Sequence, residues 1–168
     1  MVVNEPPDHA VDLGSGGGLP GLVLARHWQA ASFALVESSA RRAAFLRSAV
    51  DSLRLANVVV VQDRAERIGQ MPQWRGWADV VVARSFAVPA VTAECAAPLL
   101  RVGGQLVVSE PPTSPAGRWP AEGLATLGLG SHRLVTTEHA HVAVLTQQAS
   151  CPDRYPRRVG IPAKRPLF

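Results

Sequence analysis

The sequence predicts an open, doubly wound α/β fold, with a mostly parallel seven-stranded sheet and an antiparallel last strand. Short apolar runs alternate with segments of helical period along most of the 168 residues. Two of these runs, 57–62 and 78–86, hold three or four consecutive valines, as expected of strands buried on both faces of a parallel sheet. The first apolar run ends in a glycine-rich turn, where a sheet of this kind binds its ligand.

The individual helices and strands are predicted from the spacing of apolar residues and from the proline, serine and glycine residues at their ends. The first helix, about 19–27, has Pro20 in its first turn, where a missing N–H costs nothing. The second helix follows a serine cap at Ser38 or Ser39, and its apolar residues recur at spacings of three and four. "RVGG", 101–104, is predicted as a turn, and the last two apolar runs as an antiparallel pair. The predicted strands are 9–13, 32–38, 57–62, 78–86, 105–110, 132–139 and 140–148, and the predicted helices are 19–27, 39–55, 88–100 and 120–127.

Composition excludes several classes of protein. With 47% hydrophobic and 18% charged residues, the chain is expected to fold as a globular protein. No apolar run approaches the roughly 20 residues that cross a bilayer, and the first residues lack a signal-peptide pattern. Cys95 and Cys151 match no metal-ligand spacing. We therefore expect a cytoplasmic, monomeric protein that has no metal site and does not bind membranes.

The formal charge of +4 is concentrated at one end of the chain. Residues 1–150 hold twelve arginines and twelve acids, so the whole excess lies in 151–168. We predict a domain at 1–150 followed by a basic tail that binds nucleic acid, with Tyr155 as a base-stacking ring. A solvated basic terminus is the alternative. The predicted RNA-binding residues are Arg154, Tyr155, Arg157, Arg158, Lys164 and Arg165.

The stretch "VDLGSGGGLPG", 11–21, predicts close approach of a ligand to the main chain, because glycine is costly to order and presents a bare backbone. Gly16, Gly18 and Gly21 fit the dinucleotide fingerprint G-x-G-x-x-G, whereas Gly14, Gly16 and Gly18 fit G-x-G-x-G. Neither match is specific, and a purely structural glycine turn is the third possibility.

Two carboxylates next to the predicted strand ends favour one ligand. Asp12 lies two residues before the first glycine, Gly14, where its charge would repel a pyrophosphate by on the order of 4 kcal/mol at about 4 Å. The same charge would attract a ligand with an amine and a sulfonium. Glu37, at the end of the second strand, can accept hydrogen bonds from both hydroxyls of a ribose. The pair predicts S-adenosylmethionine, although Asp12 could be a structural cap and Glu37 a solvated strand end.

Motifs distributed along the whole chain resemble the ribosomal RNA small subunit methyltransferase G family, also called RsmG or GidB. They are "DLGSGGGLPG", "ALVES" followed by "RRAAFLR", "DRAE", "ADVVVARSFA", "LLRVGG" and "RYPRRVGIPAKRPL". The resemblance implies a Rossmann-like class I methyltransferase that transfers a methyl group to N7 of a guanine in small-subunit ribosomal RNA. Such a transfer is an in-line displacement that needs alignment of the reactants and no general base.

The resemblance also implies roles for individual residues. Gly14 and Leu19 would contact the methionine and ribose side of the cofactor, and Ala65 and Glu66 would lie at its adenine. Arg84, at the end of the fourth strand, would face substrate and cofactor as a catalytic residue. For Glu66 a solvated loop acid is the alternative, and for Arg84 a structural ion pair.

Two departures from the family pattern leave other functions open. The family has a helical region ahead of the first strand, where this sequence has about eight residues. Glu110, in "SEPP", replaces a lysine that faces nucleic acid in the family, so a negative charge is expected there. The alternatives are a non-catalytic paralogue that binds cofactor and RNA, or a methyltransferase for a small molecule.

Overall fold

Seven strands form one sheet in the order β3-β2-β1-β4-β5-β7-β6. The computed structural model describes residues 6–113, 117–138 and 140–168. Its strands are β1 His9–Leu13, β2 Ser32–Val36, β3 Val58–Val61, β4 Ala78–Ala83, β5 Leu100–Ser109, β6 Arg133–Thr136 and β7 His141–Thr146. Its helices are α1 Gly21–His27, α2 Ala40–Leu53, α3 Ala65–Ile68, α4 Pro89–Ala96, α5 Ala121–Ala125 and α6 Ile161–Lys164, with 3-10 turns at Pro72–Trp74 and Ala97–Leu99.

The strand directions confirm the predicted fold class. β1 to β5 are mutually parallel, whereas β7 pairs with β5 in the antiparallel sense and β6 pairs antiparallel with β7. Parallel neighbours need a crossover, and helices supply it between successive strands. The strand order reverses between β1 and β4, which leaves a crevice at their carboxyl ends, where ligands bind in sheets of this type.

Alternating residues of the strands supply two separate cores. Phe33 and Leu35 of β2 face a core formed with α1 and α2, including Trp28 and Leu46. Ala34 and Val36 of the same strand belong to the opposite core, which α3, α4 and α5 cover. This alternation follows from the two-residue period of a strand, and burial of both faces explains the apolar run of β4. The same expectation is wrong for β3, because β3 is an edge strand and Val59 is 50% exposed.

The predicted turn at 101–104 is wrong, because these residues lie within β5. Ala78 of β4 pairs with Leu100, but Val80 pairs with Gln105, so the register shifts there. Gly104 permits the shift, since a Cβ at this position would lie 2.9 Å from the carbonyl oxygen of Ala78. A bulged strand and a turn have similar local sequences, because both use glycine for the same backbone freedom.

Residues 151–168, predicted as a basic tail, are folded onto the body of the domain. Arg75 donates hydrogen bonds to the carbonyl oxygens of Cys151 and Tyr155, and the Gln70 side chain donates to that of Pro156. α6 follows and makes contacts with α4. The attachment depends on contacts with residues more than 60 positions earlier, so no local pattern could indicate it.

Candidate cofactor cleft and acceptor cavity

A cleft of about 310 Å³ opens at the carboxyl ends of β1 and β2 and beside the segment that follows β4. Parallel strands end at the same edge of the sheet, so residues distant in sequence meet there. The lining residues are Gly14, Val36, Glu37, Ser38, Arg42, Asp63, Arg64, Ala65, Glu66, Ser85, Phe86, Ala87, Val91, Cys95 and Ala163. Four predicted cofactor residues are therefore in this wall: Gly14, Glu37, Ala65 and Glu66.

The glycine loop lies at the cleft with a bare backbone. Gly14 has φ +74°, a conformation that disfavours side chains, and a Cβ there would lie 2.5 Å from Cδ2 of Phe86. A Cβ at Gly17 would meet nothing within 4 Å, and one at Gly16 only the Gly14 carbonyl oxygen at 3.8 Å. Gly18 packs instead on Leu22, so it serves the contact between loop and helix. The loop thus leaves open space next to the main chain of Gly16 and Gly17.

Glu37 joins the glycine loop to the helix that follows β2. Its carboxylate is 4% exposed and accepts hydrogen bonds from the N–H groups of Gly16, at 3.0 Å, and Ser39, at 2.8 Å. Arg42 lies 3.9 Å from the Oε2 atom of Glu37. A carboxylate has about four acceptor positions, so the side chain retains capacity for a ligand hydroxyl. It is not the solvated strand end considered as the alternative.

Asp12 lies behind the loop rather than in the cleft wall. Its side chain is 1% exposed, and its Oδ2 atom accepts a hydrogen bond from the Gly21 N–H at 3.0 Å. Burial raises the pKa of Asp12 to about 6, although the Gly21 N–H, the Ser15 hydroxyl and the charge of Arg84 oppose the shift. The contacts favour the alternative role for Asp12, a carboxylate that holds the loop to the first turn of α1.

Glu66 is held by two neighbours at the far end of the cleft. Arg64 donates two hydrogen bonds to it, at 2.9 and 3.2 Å, and the Gly160 N–H donates a third, at 3.0 Å. Burial alone would raise the pKa of Glu66, but these hydrogen bonds and the charge of Arg64 hold the pKa below its ordinary value. Ala65, the residue before it, is also buried. Glu66 is therefore a paired buried acid, not a solvated one.

Arg84 and Leu19 lie away from the cleft lining. Arg84 is exposed and lines a groove of about 720 Å³ on the α1 side of the sheet, together with Leu24 and Trp28. Leu19 is 49% exposed at the tip of the glycine loop. Arg84 has no ion pair among the residues described, so the alternative of a structural ion pair is not observed, and its catalytic role stays a prediction.

A second cavity, of about 360 Å³, adjoins the cleft and is termed the acceptor cavity below. The two share Ser85, Phe86 and Ala87, the residues after β4. The rest of its wall consists of Pro89 of α4, residues 108–111 at the end of β5 and just after it, and Arg118 and Trp119.

The predicted RNA-binding residues are divided between surface and interior. Tyr155 is only 8% exposed and belongs to the core, which corrects the expectation of a stacking ring. Arg157 turns inward and donates three hydrogen bonds to the buried Glu94, at 2.7 to 2.9 Å. The remaining predicted residues are exposed: Arg154, Arg158, Lys164 and Arg165.

Several cleft residues were not predicted from the sequence. Phe86 could have been found, because it follows β4 at the same sheet edge as the predicted residues. Arg64 lies next to the predicted Ala65, but its side-chain contacts are not readable from sequence. Ala163 comes from α6, about one hundred positions further along the chain, and reaches the cleft only through tertiary packing.

Within the described part of the chain, no helix is long and apolar enough to cross a membrane. The same described residues include no group of three or more His, Cys, Asp or Glu side chains that could hold a metal ion.

The sheet order and the cleft at its carboxyl edge define an α/β domain with the fold of class I methyltransferases. A SAM-dependent methyltransferase from Aquifex aeolicus superposes with a TM-score of 0.61 and 15% identity, over 82% of this chain and 80% of that one. A variant of MtNAS, crystallised in complex with S-adenosylmethionine, gives a TM-score of 0.63 and 14% identity over 86% of this chain and 55% of that one.

The chain belongs to the rRNA small subunit methyltransferase G family, whose model matches residues 1–110. The ribosomal RNA small subunit methyltransferase G of Chloroflexus aggregans is 35% identical over 96% of this chain and 70% of its own length. That of Rubrobacter xylanophilus is 37% identical over 93% of this chain and 64% of its own length. The family predicted from the motifs is confirmed, and the chain spans about two thirds of these relatives.

Proposed function

We propose that this protein is an S-adenosylmethionine-dependent methyltransferase that modifies N7 of a guanine in small-subunit ribosomal RNA. The observation that carries the proposal is the position of Glu37 beside a bare-backbone glycine loop, at the crevice of a sheet shared with methyltransferases. The family to which the chain belongs is named for small-subunit ribosomal RNA. We further propose that the protein acts in the cytoplasm as a monomer, on the ribosomal subunit or its RNA.

The residues of the cleft fit this cofactor. The open space above Gly16 and Gly17 admits a ligand to the main chain, as a side chain there would not. Glu37 offers acceptors for ribose hydroxyls, and Val36, Ala65 and Val91 provide apolar walls for a planar ring. A bound S-adenosylmethionine supplies a methyl group on a sulfonium that a nucleophile can attack.

The chain's own residues then have positioning roles. Asp12 holds the loop to α1 and keeps a negative charge behind it at neutral pH, which favours a cationic ligand. Phe86 separates the cleft from the acceptor cavity and can pack against an incoming base. Among the residues described, no histidine lines either cavity. This agrees with a guanine N7 acceptor, which attacks through its lone pair and loses no proton.

The basic segment 151–168 supports the RNA substrate. We propose that 1–150 is the methyltransferase domain and that this segment, folded onto it, presents cations to phosphates. The guanidinium of Arg157 is hydrogen-bonded to Glu94, so the exposed residues of the segment are the ones proposed to bind phosphates. Those residues are Arg154, Arg158, Lys164 and Arg165.

Labelled S-adenosylmethionine, incubated with the purified protein and small ribosomal subunits from a strain lacking its gene, tests the proposal. Label at N7 of a guanine is the expected result. Cofactor binding without transfer to the subunits or their RNA would contradict the proposal and support the non-catalytic alternative. Glu37→Gln should raise the cofactor Kd about tenfold or more, as loss of a charge-assisted hydrogen bond does. Glu122→Gln, on the exposed face of α5, is the matched control and should leave the Kd unchanged.

A further inference from the structure

The acceptor cavity is placed to receive the group that is methylated. It shares Ser85, Phe86 and Ala87 with the cofactor cleft, so its contents lie next to a cofactor bound there. Its far wall carries one acid, Glu110, and one cation, Arg118. Which of the two charges faces the cavity decides what the cavity can bind.

Glu110 points into the protein. Its side chain is 1% exposed, and its Oε1 atom accepts a hydrogen bond from the indole N–H of Trp119 at 2.9 Å. Trp119 is itself a core residue. The main chain is fixed as well, because the Glu110 N–H donates to the His141 carbonyl oxygen at 2.7 Å. The expectation that Glu110 presents a negative charge to nucleic acid is therefore wrong.

Arg118 is the partner that reaches the surface. Its Nε–H donates to the Oε2 atom of Glu110 at 2.8 Å, and its side chain is 33% exposed. In residues 6–113, 117–138 and 140–168 no acceptor is seen for its Nη1 and Nη2 atoms. Because the acid is buried and the guanidinium is not, the mouth of the cavity presents the positive charge. A planar fork with both terminal groups available suits a phosphate.

We propose that Arg118, oriented by the buried Glu110, binds the backbone phosphate of the nucleotide whose base enters the acceptor cavity. The inference rests on the proposed RNA methyltransferase function and names the residue that positions its substrate. Arg118 binds RNA directly, and Glu110 is a positioning residue that acts through it. In the family pattern a lysine occupies the position of Glu110. In this chain Arg118, from the segment after β5, supplies the positive charge instead.

Arg118→Gln, compared with Arg26→Gln, tests the proposal. Arg26 is exposed in the last turn of α1, at the edge of the sheet opposite the cleft, and its replacement makes the same change in charge. With Arg118→Gln, KM for the RNA should rise about tenfold or more while kcat and the cofactor Kd change little. The slope of log affinity against log salt should also fall by about one, as expected for one lost phosphate contact. Arg26→Gln should leave all four quantities unchanged.

Two further variants separate positioning from folding. Arg118→Lys keeps the charge without the fork and should recover part of the affinity and the whole salt slope. Glu110→Gln should raise KM less than Arg118→Gln does, in protein shown to be folded by its thermal melt. An unchanged salt slope in Arg118→Gln, with or without an effect on KM, would overturn the assignment to phosphate. If the wild-type protein transfers no label to RNA, the proposed function fails instead. RNA binding measured without turnover still tests Arg118 in that case, so the two failures can be distinguished.

Discussion

Replacement of the buried acid Asp12 by asparagine should change how stability depends on pH. Asp12→Asn keeps an oxygen that can accept the Gly21 N–H bond, but it removes a carboxylate that burial makes costly to ionise. The folded-state pKa of about 6 exceeds the ordinary value of 3.8. Between these values the folded state binds more protons than the unfolded one. The free energy of unfolding therefore falls as pH rises through this range.

The size of the effect follows from the pKa difference. At about 1.4 kcal/mol for each pKa unit, a rise from 3.8 to about 6 makes ionised Asp12 cost about 3 kcal/mol of stability above pH 7. About half of this appears between about pH 5 and pH 7.5, because the folded carboxyl is still mostly protonated at pH 5. Asp12→Asn should thus be more stable than wild type at pH 7.5, and the gain should be about 1.4 kcal/mol smaller at pH 5.

Urea denaturation of both proteins at the two pH values measures the difference directly. Asp51→Asn, at an exposed position of α2, is the control and should shift the free energy of unfolding by less than about 0.5 kcal/mol. A difference between Asp12→Asn and wild type that is the same at both pH values would refute the argument, since it would mean that Asp12 does not titrate differently on folding.

Three other changes probe the glycine loop, the C-terminal segment and the thiols. Gly14→Ala must hold a side chain at φ +74° against Phe86, so urea denaturation should show a loss of about 1–3 kcal/mol, with weaker cofactor binding by calorimetry. Arg157→Ala leaves the fully buried Glu94 without its ion-pair partner and should lower the free energy of unfolding by about 3–5 kcal/mol. Adding Glu94→Gln should recover part of this stability, and a double variant with no recovery would contradict the ion pair. Burial raises the pKa of Cys151 to about 11, so iodoacetamide should label it at neutral pH only after unfolding, and rapid labelling of the native protein would contradict this burial.

Much of the fold could be predicted because its signals are local. The period of apolar residues and the runs of valine gave all seven strands, and β1 matches its predicted bounds, 9–13. The same signals failed at 101–104, where a bulge and a turn share one glycine pattern, and at 65–68 and 161–164, where one-turn helices have no period to detect. Boundaries shifted elsewhere by a few residues because helix ends depend on capping contacts.

The candidate site could be predicted in part, for the same reason. Glu37 and the glycine loop meet because consecutive parallel strands end at one edge, a consequence of topology that the sequence already implies. Phe86 lies at the same edge because it follows β4, whereas Ala163 completes the cleft through packing of a later segment, for which the sequence has no local signal. Arg84 was placed at the cleft by the family resemblance, but it lies just after β4, which ends at Ala83, and it lines the groove on the α1 side.

The sequence by itself determined the fold class, the family and the loop at which the cofactor is expected to bind, since each depends on residues that are adjacent or periodic in the chain. Only the tertiary structure decided which charges face solvent. Glu94 and Glu66 are paired with groups 63 and 94 positions away, at Arg157 and Gly160, and Glu110 is turned inward by Trp119. A carboxylate is tolerated inside a protein only with such partners, and partners brought together by folding leave no pattern in the order of the residues.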